Sequence, residues 1–258
     1  MIGVSAISVT GLRKVFVTRG NAVVEAIAGM SLTIGEGEVV AILGPSGCGK
    51  STFLRILAGL DRDYEGTITW ARTSEAAHDR LLGATVFQAD STLPWMTVGK
   101  NLRIGLSGLR LPRAEAEARI GKNIALVGLE SFRHAYPHEL SGGMRQRVAI
   151  ARALATEPML LMMDEPLAAL DAQTRLVMQQ ELISIWLKTR STVVYVTHDI
   201  AEAVTLADRI VVMTARPGRI QTIRTVPFGR DRNVIALRRE AAFRNLEADL
   251  WAMVTEHA

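Results

Sequence analysis

The sequence predicts an α/β fold built around a buried parallel sheet. Three apolar runs have the length of strands, at Val39–Leu43, Met159–Met163 and Thr192–Thr197. Helical patterns follow the first and the last of them, at Phe53–Ala58 and Ile200–Leu206. Apolar strands that alternate with helices are typical of a parallel sheet covered on both faces. A chain of 258 residues with 48% hydrophobic content is long enough for one such domain with subdomains.

The first 38 residues predict antiparallel strands that precede this sheet. Apolar and polar side chains alternate there, as at Ala6–Thr10 and Met30–Ile34, which is the pattern of strands with one buried face. We expect residues 39 to 88 and 158 to 222 to supply the parallel sheet and its helices.

A complete phosphate-binding loop follows the first apolar run. Its sequence, GPSGCGKST, fits the pattern G-x-x-x-x-G-K-[ST]. The glycines let successive N–H groups face phosphates, Lys50 supplies a charge toward the β and γ phosphates, and the Ser51 hydroxyl can ligate Mg²⁺. The positive end of the following helix adds to the same place. Binding of ATP or GTP is therefore predicted for Gly44, Pro45, Ser46, Gly47, Cys48, Gly49, Lys50, Ser51 and Thr52.

Two carboxylates, Asp164 and Glu165, follow the second apolar run. At the carboxyl edge of a parallel sheet they would lie where ligands bind in open α/β folds. Transfer of a phosphoryl group to water needs a metal and a positioned water. Asp164 is therefore expected to hold Mg²⁺ through water, and Glu165 to act as general base. A solvated turn or a helix cap is the alternative, and the phosphate-binding loop makes it the weaker one.

A second glycine segment, Leu140–Arg147, predicts the start of another helix. Ser141 is a good N-cap, and apolar residues recur at helical spacing behind it. A helix that begins with Ser-Gly-Gly can bind an anion, which makes Ser141, Gly142 and Gly143 candidate phosphate ligands. One chain would then carry two phosphate cradles.

Leu140–Gln146 resembles the LSGGQ signature of ATP-binding cassette (ABC) ATPases, with Met144 in its last position. The other family motifs occur in the family's order: the Q-loop at Gln88, the Walker B strand ending at Asp164 and Glu165, the D-loop at Ala169–Asp171 and the switch histidine at His198. The resemblance covers about residues 5 to 222. It implies a P-loop NTPase (RecA-like) core with an N-terminal antiparallel β subdomain and a helical signature subdomain.

The resemblance implies a head-to-tail dimer, in which ATP lies between the phosphate loop of one subunit and the signature helix of the other. Ser141, Gly142, Gly143 and Asp171 would then contact nucleotide bound to the partner subunit, which accounts for the second cradle. One departure is Ala168, where the family commonly has Ser. This departure puts one hydrogen bond between subunits in doubt.

The resemblance also implies roles for three residues that carry little signal alone. Gln88 would complete the Mg²⁺ shell and connect the site to the transport partner, while His198 would contact the γ-phosphate. Both would be catalytic residues alongside Glu165 and Lys50. Phe16 would stack on adenine, at a position where Tyr is more usual. The alternatives are a structural role for His198 at its strand end and packing of Phe16 in an N-terminal strand.

Composition limits the class of partner and the compartment. The net charge is +4, but the basic residues are scattered and three Tyr and six Phe offer few rings for stacking bases, so we expect no nucleic-acid partner. No run of eighteen apolar residues occurs, and the N-terminus lacks a signal-like segment. The single cysteine, Cys48, excludes an internal disulfide. These features predict a cytoplasmic chain.

Two segments, Leu93–Val98 and Ala215–Ile220, are similar to those of importers for nitrate, sulfonate, taurine and bicarbonate. This similarity implies the ATP-hydrolysing subunit of a multi-component ABC importer for a small anionic solute. It would act as a homodimer, or paired with a related ATPase subunit, at the cytoplasmic face of the cell membrane. Its partners would be an integral membrane permease, docked near Trp95, and indirectly a solute-binding protein. The alternative for the Trp95 region is ordinary subdomain packing.

We expect one ABC ATPase domain over residues 1–226, with a helical subdomain at about 89–157, and a C-terminal helical extension over 227–258. The apolar positions of the last helix are Leu246, Leu250, Trp251 and Val254.

The alternative function is a nucleic-acid- or ribosome-associated ATPase of the same superfamily. Such proteins usually carry two cassettes or a long coiled-coil insertion, and this sequence shows neither. A small-molecule kinase is a third class, but it would leave Leu140–Gln146 and His198 without a purpose.

Overall fold

Two sheets and the helices around them make up the part of the chain that the computed structural model describes, residues 5–17, 20–71, 82–88 and 91–255. The strands are β1 Ser5–Val17, β2 Val23–Gly35, β3 Val39–Leu43, β4 Glu65–Trp70, β5 Gly83–Val86, β6 Leu160–Asp164, β7 Val193–Thr197, β8 Arg209–Met213 and β9 Ile220–Thr225. The α-helices are α1 Lys50–Leu57, α2 Val98–Gly105, α3 Arg113–Leu126, α4 Gly142–Ala155, α5 Ala172–Thr189, α6 Ile200–Leu206, α7 Val234–Leu237 and α8 Ala241–Thr255.

The larger sheet has the strand order β5-β6-β7-β3-β8-β9. Adjacent strands of this sheet are parallel, except for β8 and β9, which are antiparallel. All five residues of β3 are buried, with Val40 and Ile42 in one apolar cluster and Ala41 and Leu43 in another. The predicted parallel sheet, covered on both faces, is confirmed. The carboxyl ends of β3, β6 and β7 therefore lie along one edge, where ligands bind in such folds.

The smaller sheet is antiparallel, in the order β2-β1-β4, and confirms the prediction for the N-terminal segment. The prediction that residues 39 to 88 all belong to the larger sheet is wrong for β4. Ile68 and Trp70 of β4 pair with Val9 and Ile7 of β1, because both apolar side chains then pack on the cluster between the two sheets.

Helix α1 begins at Lys50, whereas the sequence pattern predicted a start at Phe53. Gly49, at φ 99°, turns the loop directly into the helix. Phe53, Leu54, Ile56 and Leu57 are buried between the two sheets. The end of the phosphate loop is therefore fixed to a helix that is covered on both sides.

Helices α2, α3 and α4 pack on one another and on the larger sheet through an apolar cluster that includes Leu102, Ile120, Ile124, Val148 and Ile150. They lie within the predicted helical subdomain. Its first two residues, Ala89 and Asp90, lie outside the described residues, as do 1–4 and 256–258 at the predicted domain ends. The domain boundaries stay predictions.

The C-terminal segment packs on α6 and β8 through α8. Phe243 and Leu250 are buried, but Trp251 is 64% exposed, so the prediction that Trp251 belongs to the apolar face is wrong. Consecutive helical residues point about 100° apart, and therefore only one of Leu250 and Trp251 can face the core. Within the described residues, no helix combines the length and the apolar character needed to cross a bilayer.

Candidate active site

The phosphate loop leaves the carboxyl end of β3 and wraps around the Lys50 side chain. Gly47 and Gly49 have φ values of 78° and 99°, which residues with a Cβ rarely adopt. Lys50 is 5% exposed, and its Nζ donates hydrogen bonds to the carbonyl oxygens of Gly44 at 2.7 Å and Pro45 at 2.9 Å. The loop thus encloses the cation that the sequence assigned to the phosphates.

Cys48 lies beneath this loop. The residue is buried, and a Cβ placed on Gly44 would lie 2.9 Å from its Sγ, so the thiol fills the space under the first turn. Burial raises the pKa of the Cys48 thiol above its ordinary value, against the opposing charge of Lys50. The side chain therefore acts as a small filler, and the predicted contact with nucleotide would come from its backbone.

Ser51 and Asp164 form the candidate metal-binding pair. The Ser51 hydroxyl donates to Asp164 Oδ1 at 3.1 Å, which joins the start of α1 to the end of β6. Burial raises the pKa of Asp164 and the Glu165 charge adds to this, while the Ser51 hydrogen bond opposes it. Hydroxyl and carboxylate oxygens are hard donors that suit Mg²⁺. Among the described residues, no group of three or more His, Cys, Asp or Glu side chains could hold a metal.

Glu165 is the centre of a second cluster. Its Oε2 accepts a hydrogen bond from Gln88 Nε2 at 3.2 Å and lies 3.0 Å from His198 Nδ1. The three residues follow β5, β6 and β7, which are neighbours in the sheet, so their side chains meet at one edge. The backbone of Glu165 has φ 45°, and its N–H donates to the Val196 carbonyl at 2.9 Å. The structure therefore brings together Gln88, Glu165 and His198, as the motifs required.

The signature segment and Asp171 lie elsewhere on the surface. Ser141 caps α4 by accepting from Met144 N–H at 3.3 Å. A Cβ placed on Gly143 would lie 3.0 Å from Thr174 of α5, so close packing requires this glycine. Asp171 caps α5 by accepting from Thr174 N–H at 2.9 Å, and hydrogen bonding from the Thr174 side chain and then from this N–H lowers the Asp171 pKa. Among the described residues, no hydrogen bond joins Ser141–Gly143 or Asp171 to the phosphate loop.

Phe16 lies in β1 and is 41% exposed. Its ring is covered by Lys14, whose Nζ lies 4.8 Å from the ring centre and also binds Asp61 at 2.9 Å. The exposed face leaves room for a stacked base, and the strand position agrees with the packing alternative. Stacking of Phe16 on adenine stays a prediction.

Sequence analysis missed a charged cluster behind His198. Arg175 donates to the Leu170 carbonyl of the D-loop at 2.9 Å, and its guanidinium lies 3.6 Å from Asp199 and 3.8 Å from Glu202. Glu202 is buried and accepts from Tyr195 and Thr197, each at 3.0 Å.

Burial raises the pKa of Glu202, and the Asp199 charge adds to this. This cluster joins the D-loop to the loop that carries His198. No local pattern pairs Arg175 with Glu202, so the sequence offered no signal for it.

Two comparisons decide the family. The family model described as ABC transporter matches residues 27–168. An uncharacterized ABC transporter ATP-binding protein of Methanocaldococcus jannaschii is 48% identical over 229 residues, which are 88% of this chain and 84% of that protein. The chain belongs to the ABC transporter family. This ABC cassette binds ATP and hydrolyses it.

Other relatives of the ABC cassette carry more specific names. The aliphatic sulfonates import ATP-binding protein SsuB 1 of Mesorhizobium japonicum is 49% identical, over 79% of this chain and 75% of that protein. The protein SsuB of Bacillus subtilis is 41% identical, over 88% of each chain. Among solved structures, a dimeric ATP-binding cassette in a post-hydrolysis state, bound to ADP and Pi, matches with a TM-score of 0.71 at 31% identity. That match covers 86% of this chain and all of the other, and it confirms the predicted fold class.

Proposed function

We propose that this ABC cassette is the ATP-hydrolysing subunit of an importer for small anionic solutes of the aliphatic sulfonate type. The names of the Mesorhizobium and Bacillus relatives support this solute class. The solute would pass through a permease on another polypeptide, reached by way of a solute-binding protein, while the cassette acts from the cytoplasmic face of the membrane. The relatives give no support to the nucleic-acid-associated alternative.

The observation that carries the catalytic part of the proposal is the cluster around Glu165. Gln88 and His198 both contact Oε2 of its carboxylate, at 3.2 Å and 3.0 Å. A carboxylate oriented in this way can take the proton of an attacking water as general base. The loop N–H groups and Lys50 would bind the phosphates.

Ser51, Asp164 and Gln88 would hold Mg²⁺, which, when bound, supplies positive charge to the phosphate oxygens.

We propose further that two cassettes complete the site. Ser141–Gly143 and Asp171 make their described contacts with α4 and α5 rather than with the phosphate loop of the same chain. In such a dimer, Ser141–Gly143 and Asp171 of one subunit would contact the ATP bound at the phosphate loop of the other. Phe16 would stack on the adenine of the ATP bound to its own subunit. The dimeric form of the solved cassette with ADP and Pi supports this arrangement.

The permease is proposed to dock beside α2. Trp95, just before this helix, is 69% exposed, and a groove next to it is lined by Met96, Lys100, Arg103 and Ile104, among others. Large exposed aromatic side chains beside basic residues are frequent anchors in protein interfaces. Met96 of the groove follows Gln88 by eight positions in the sequence, so a docked helix could act on the Glu165 cluster.

The test is recovery of the partner by affinity purification from detergent-solubilised membranes. We expect the wild-type chain to bring down a multi-spanning membrane protein in stoichiometric amount, and Trp95→Ala to lose most of it, because such an anchor contributes about 2 kcal/mol or more. Trp251→Ala is the matched control, since Trp251 is similarly exposed, at 64%, on α8.

Recovery of ribosomes or nucleic acid alone would contradict the importer. Equal recovery by all three chains would contradict docking at Trp95.

A further inference from the structure

The segment Met213–Ile220, which we call the strap, turns back from β8 into β9 and closes on itself. Thr214 N–H donates to the Arg219 carbonyl at 3.0 Å, and the Thr214 hydroxyl donates to the Pro217 carbonyl at 3.1 Å. The strap is also fixed to β2, because Gly218 N–H donates to the Ala26 carbonyl at 3.0 Å. The turn is therefore held by its own hydrogen bonds and by a neighbouring sheet.

The strap covers the outer wall of the phosphate loop. A Cβ placed on Gly44 would lie 2.9 Å from the Met213 carbonyl, and a Cβ placed on Gly218 would lie 2.0 Å from the Cys48 carbonyl. Contacts this close leave no room for a side chain at either glycine. Loop and strap are thus packed backbone against backbone.

Arg216 adds a directed contact to this packing. Its Nε donates to the Gly47 carbonyl at 3.0 Å, and its Nη2 would lie 3.1 Å from a Cβ placed on Gly47. Among the described residues, this is the one hydrogen bond that a side chain other than Lys50 makes to the backbone of residues 44–49. A charged donor makes such a bond stronger than a neutral one.

The hydrogen bond fixes the orientation of one peptide unit. In a planar trans peptide, the carbonyl and the following N–H point in opposite directions. With the Gly47 carbonyl directed to Arg216, the Cys48 N–H points the other way, to the Pro45 carbonyl, to which it donates a hydrogen bond at 3.4 Å. Gly47 has no side chain to resist rotation of this unit, and the bond inside the loop is long, so the Arg216 contact adds a second restraint.

We propose that Arg216 is a positioning residue for ATP binding, which holds the Gly47–Cys48 peptide in the orientation that closes the Pro45–Cys48 turn of the phosphate loop. The proposal rests on the proposed function, in which the phosphate loop is the ATP site. Arg216 acts through the loop backbone rather than through the reacting atoms. This contact gives a role to Arg216 of the Ala215–Ile220 motif, which takes no part in the ATP chemistry described above.

The test is ATP affinity measured by calorimetry, together with the KM and kcat of hydrolysis. For Arg216→Ala we expect ATP to bind about 5- to 10-fold more weakly, which is the effect of losing one intramolecular hydrogen bond that is exposed to solvent. KM should rise by a similar factor while kcat stays within about twofold, because the lost contact serves ground state and transition state alike. Arg216→Lys, which keeps a charged donor, should recover part of the affinity.

Arg219→Ala is the matched control, because Arg219 is an exposed arginine of the same strap whose side chain makes no hydrogen bond or ion pair among the described residues. Equal weakening by both variants would overturn the proposal in favour of a general charge effect, and so would a loss of kcat without a change in affinity. Lys50→Ala distinguishes a failure of the Arg216 proposal from a failure of the proposed ATP site. If it weakens binding while Arg216→Ala does not, only the role of Arg216 fails; if neither does, the loop assignment fails too.

Discussion

Glu165 combines an unusual backbone conformation with a side chain that Gln88 and His198 both contact. Its φ of 45° lies in the left-handed region, where a residue other than glycine costs about 1 to 2 kcal/mol. The hydrogen bond from its N–H to Val196 and the contacts with Gln88 and His198 offset this cost. Strain of this kind is common where a side chain has to be aimed at a substrate.

Replacement of Glu165 by Gln tests its role as base. Glu165→Gln should keep ATP binding, lower turnover by about 10² to 10⁴, and favour a stable ATP-bound dimer, because the amide has nearly the same shape but cannot take a proton. Phosphate release and size-exclusion chromatography with ATP would measure both effects. Glu240→Gln, at an exposed carboxylate before α8, should behave as wild type. Near-normal hydrolysis by Glu165→Gln would remove Glu165 from this role.

Local motifs predicted single residues well, because each motif specifies its own surroundings. The residues around Lys50 are contiguous, and their loop follows from glycine and a buried strand. The meeting of Gln88, Glu165 and His198 depends instead on β5, β6 and β7 being neighbours, which only the sheet order reveals. Arg175 and Glu202 are 27 positions apart on different helices, so no spacing rule could pair them.

At the scale of elements, α1 and the strap hold the phosphate loop from two sides. Helix α1 fixes the loop's end between two sheets, and the strap covers its outer wall. β4 shows why element prediction was incomplete. Its alternation of apolar residues indicates a strand, but which sheet it joins is decided by packing on residues far away in sequence.

Gly218→Ala tests this packing. The added Cβ would lie 2.0 Å from the Cys48 carbonyl, so the strap or the loop must move. We expect a loss of about 1 to 3 kcal/mol in the free energy of unfolding, as for other overpacked sites, together with weaker ATP binding.

Urea denaturation and calorimetry would measure the two effects. Gly229→Ala is the control, because a Cβ there meets nothing within 4 Å. Wild-type stability and affinity in Gly218→Ala would show that strap and loop can separate freely.

For the whole molecule, Arg232 connects the C-terminal segment to the body of the fold. The residue is buried, and its guanidinium donates to the carbonyls of Gly229 at 2.6 Å, Thr205 at 2.9 Å, Val204 at 3.2 Å and Phe228 at 3.3 Å. Burial lowers the pKa of Arg232, opposed by the Asp208 charge. A sequence shows such an arginine only as one of many basic residues, since its burial depends on the last helices folding back over α6.

Arg232→Ala should therefore destabilise the protein as a whole. Four carbonyls would lose their donor in a poorly hydrated place, and we expect the free energy of unfolding to fall by about 2 to 4 kcal/mol. Thermal and urea denaturation would measure the loss. Arg239→Ala, at an exposed arginine nearby, should stay within about 0.5 kcal/mol of wild type. An equal loss of unfolding free energy in both variants would mean that the charge of these arginines, and not the burial of Arg232, stabilises the C-terminal segment.

The burial of Lys50 determines whether the free-energy cost of dehydrating its ammonium group arises during folding or during nucleotide binding. The protein removes most water from this ammonium group and replaces it with two loop carbonyls, so the cost falls on folding and not on capture of the nucleotide. An arriving phosphate meets a cation that is already dry and already in place. Burial of Lys50 thus favours nucleotide affinity and lowers the free energy of unfolding, so the phosphate loop is a place where binding and stability have opposite requirements.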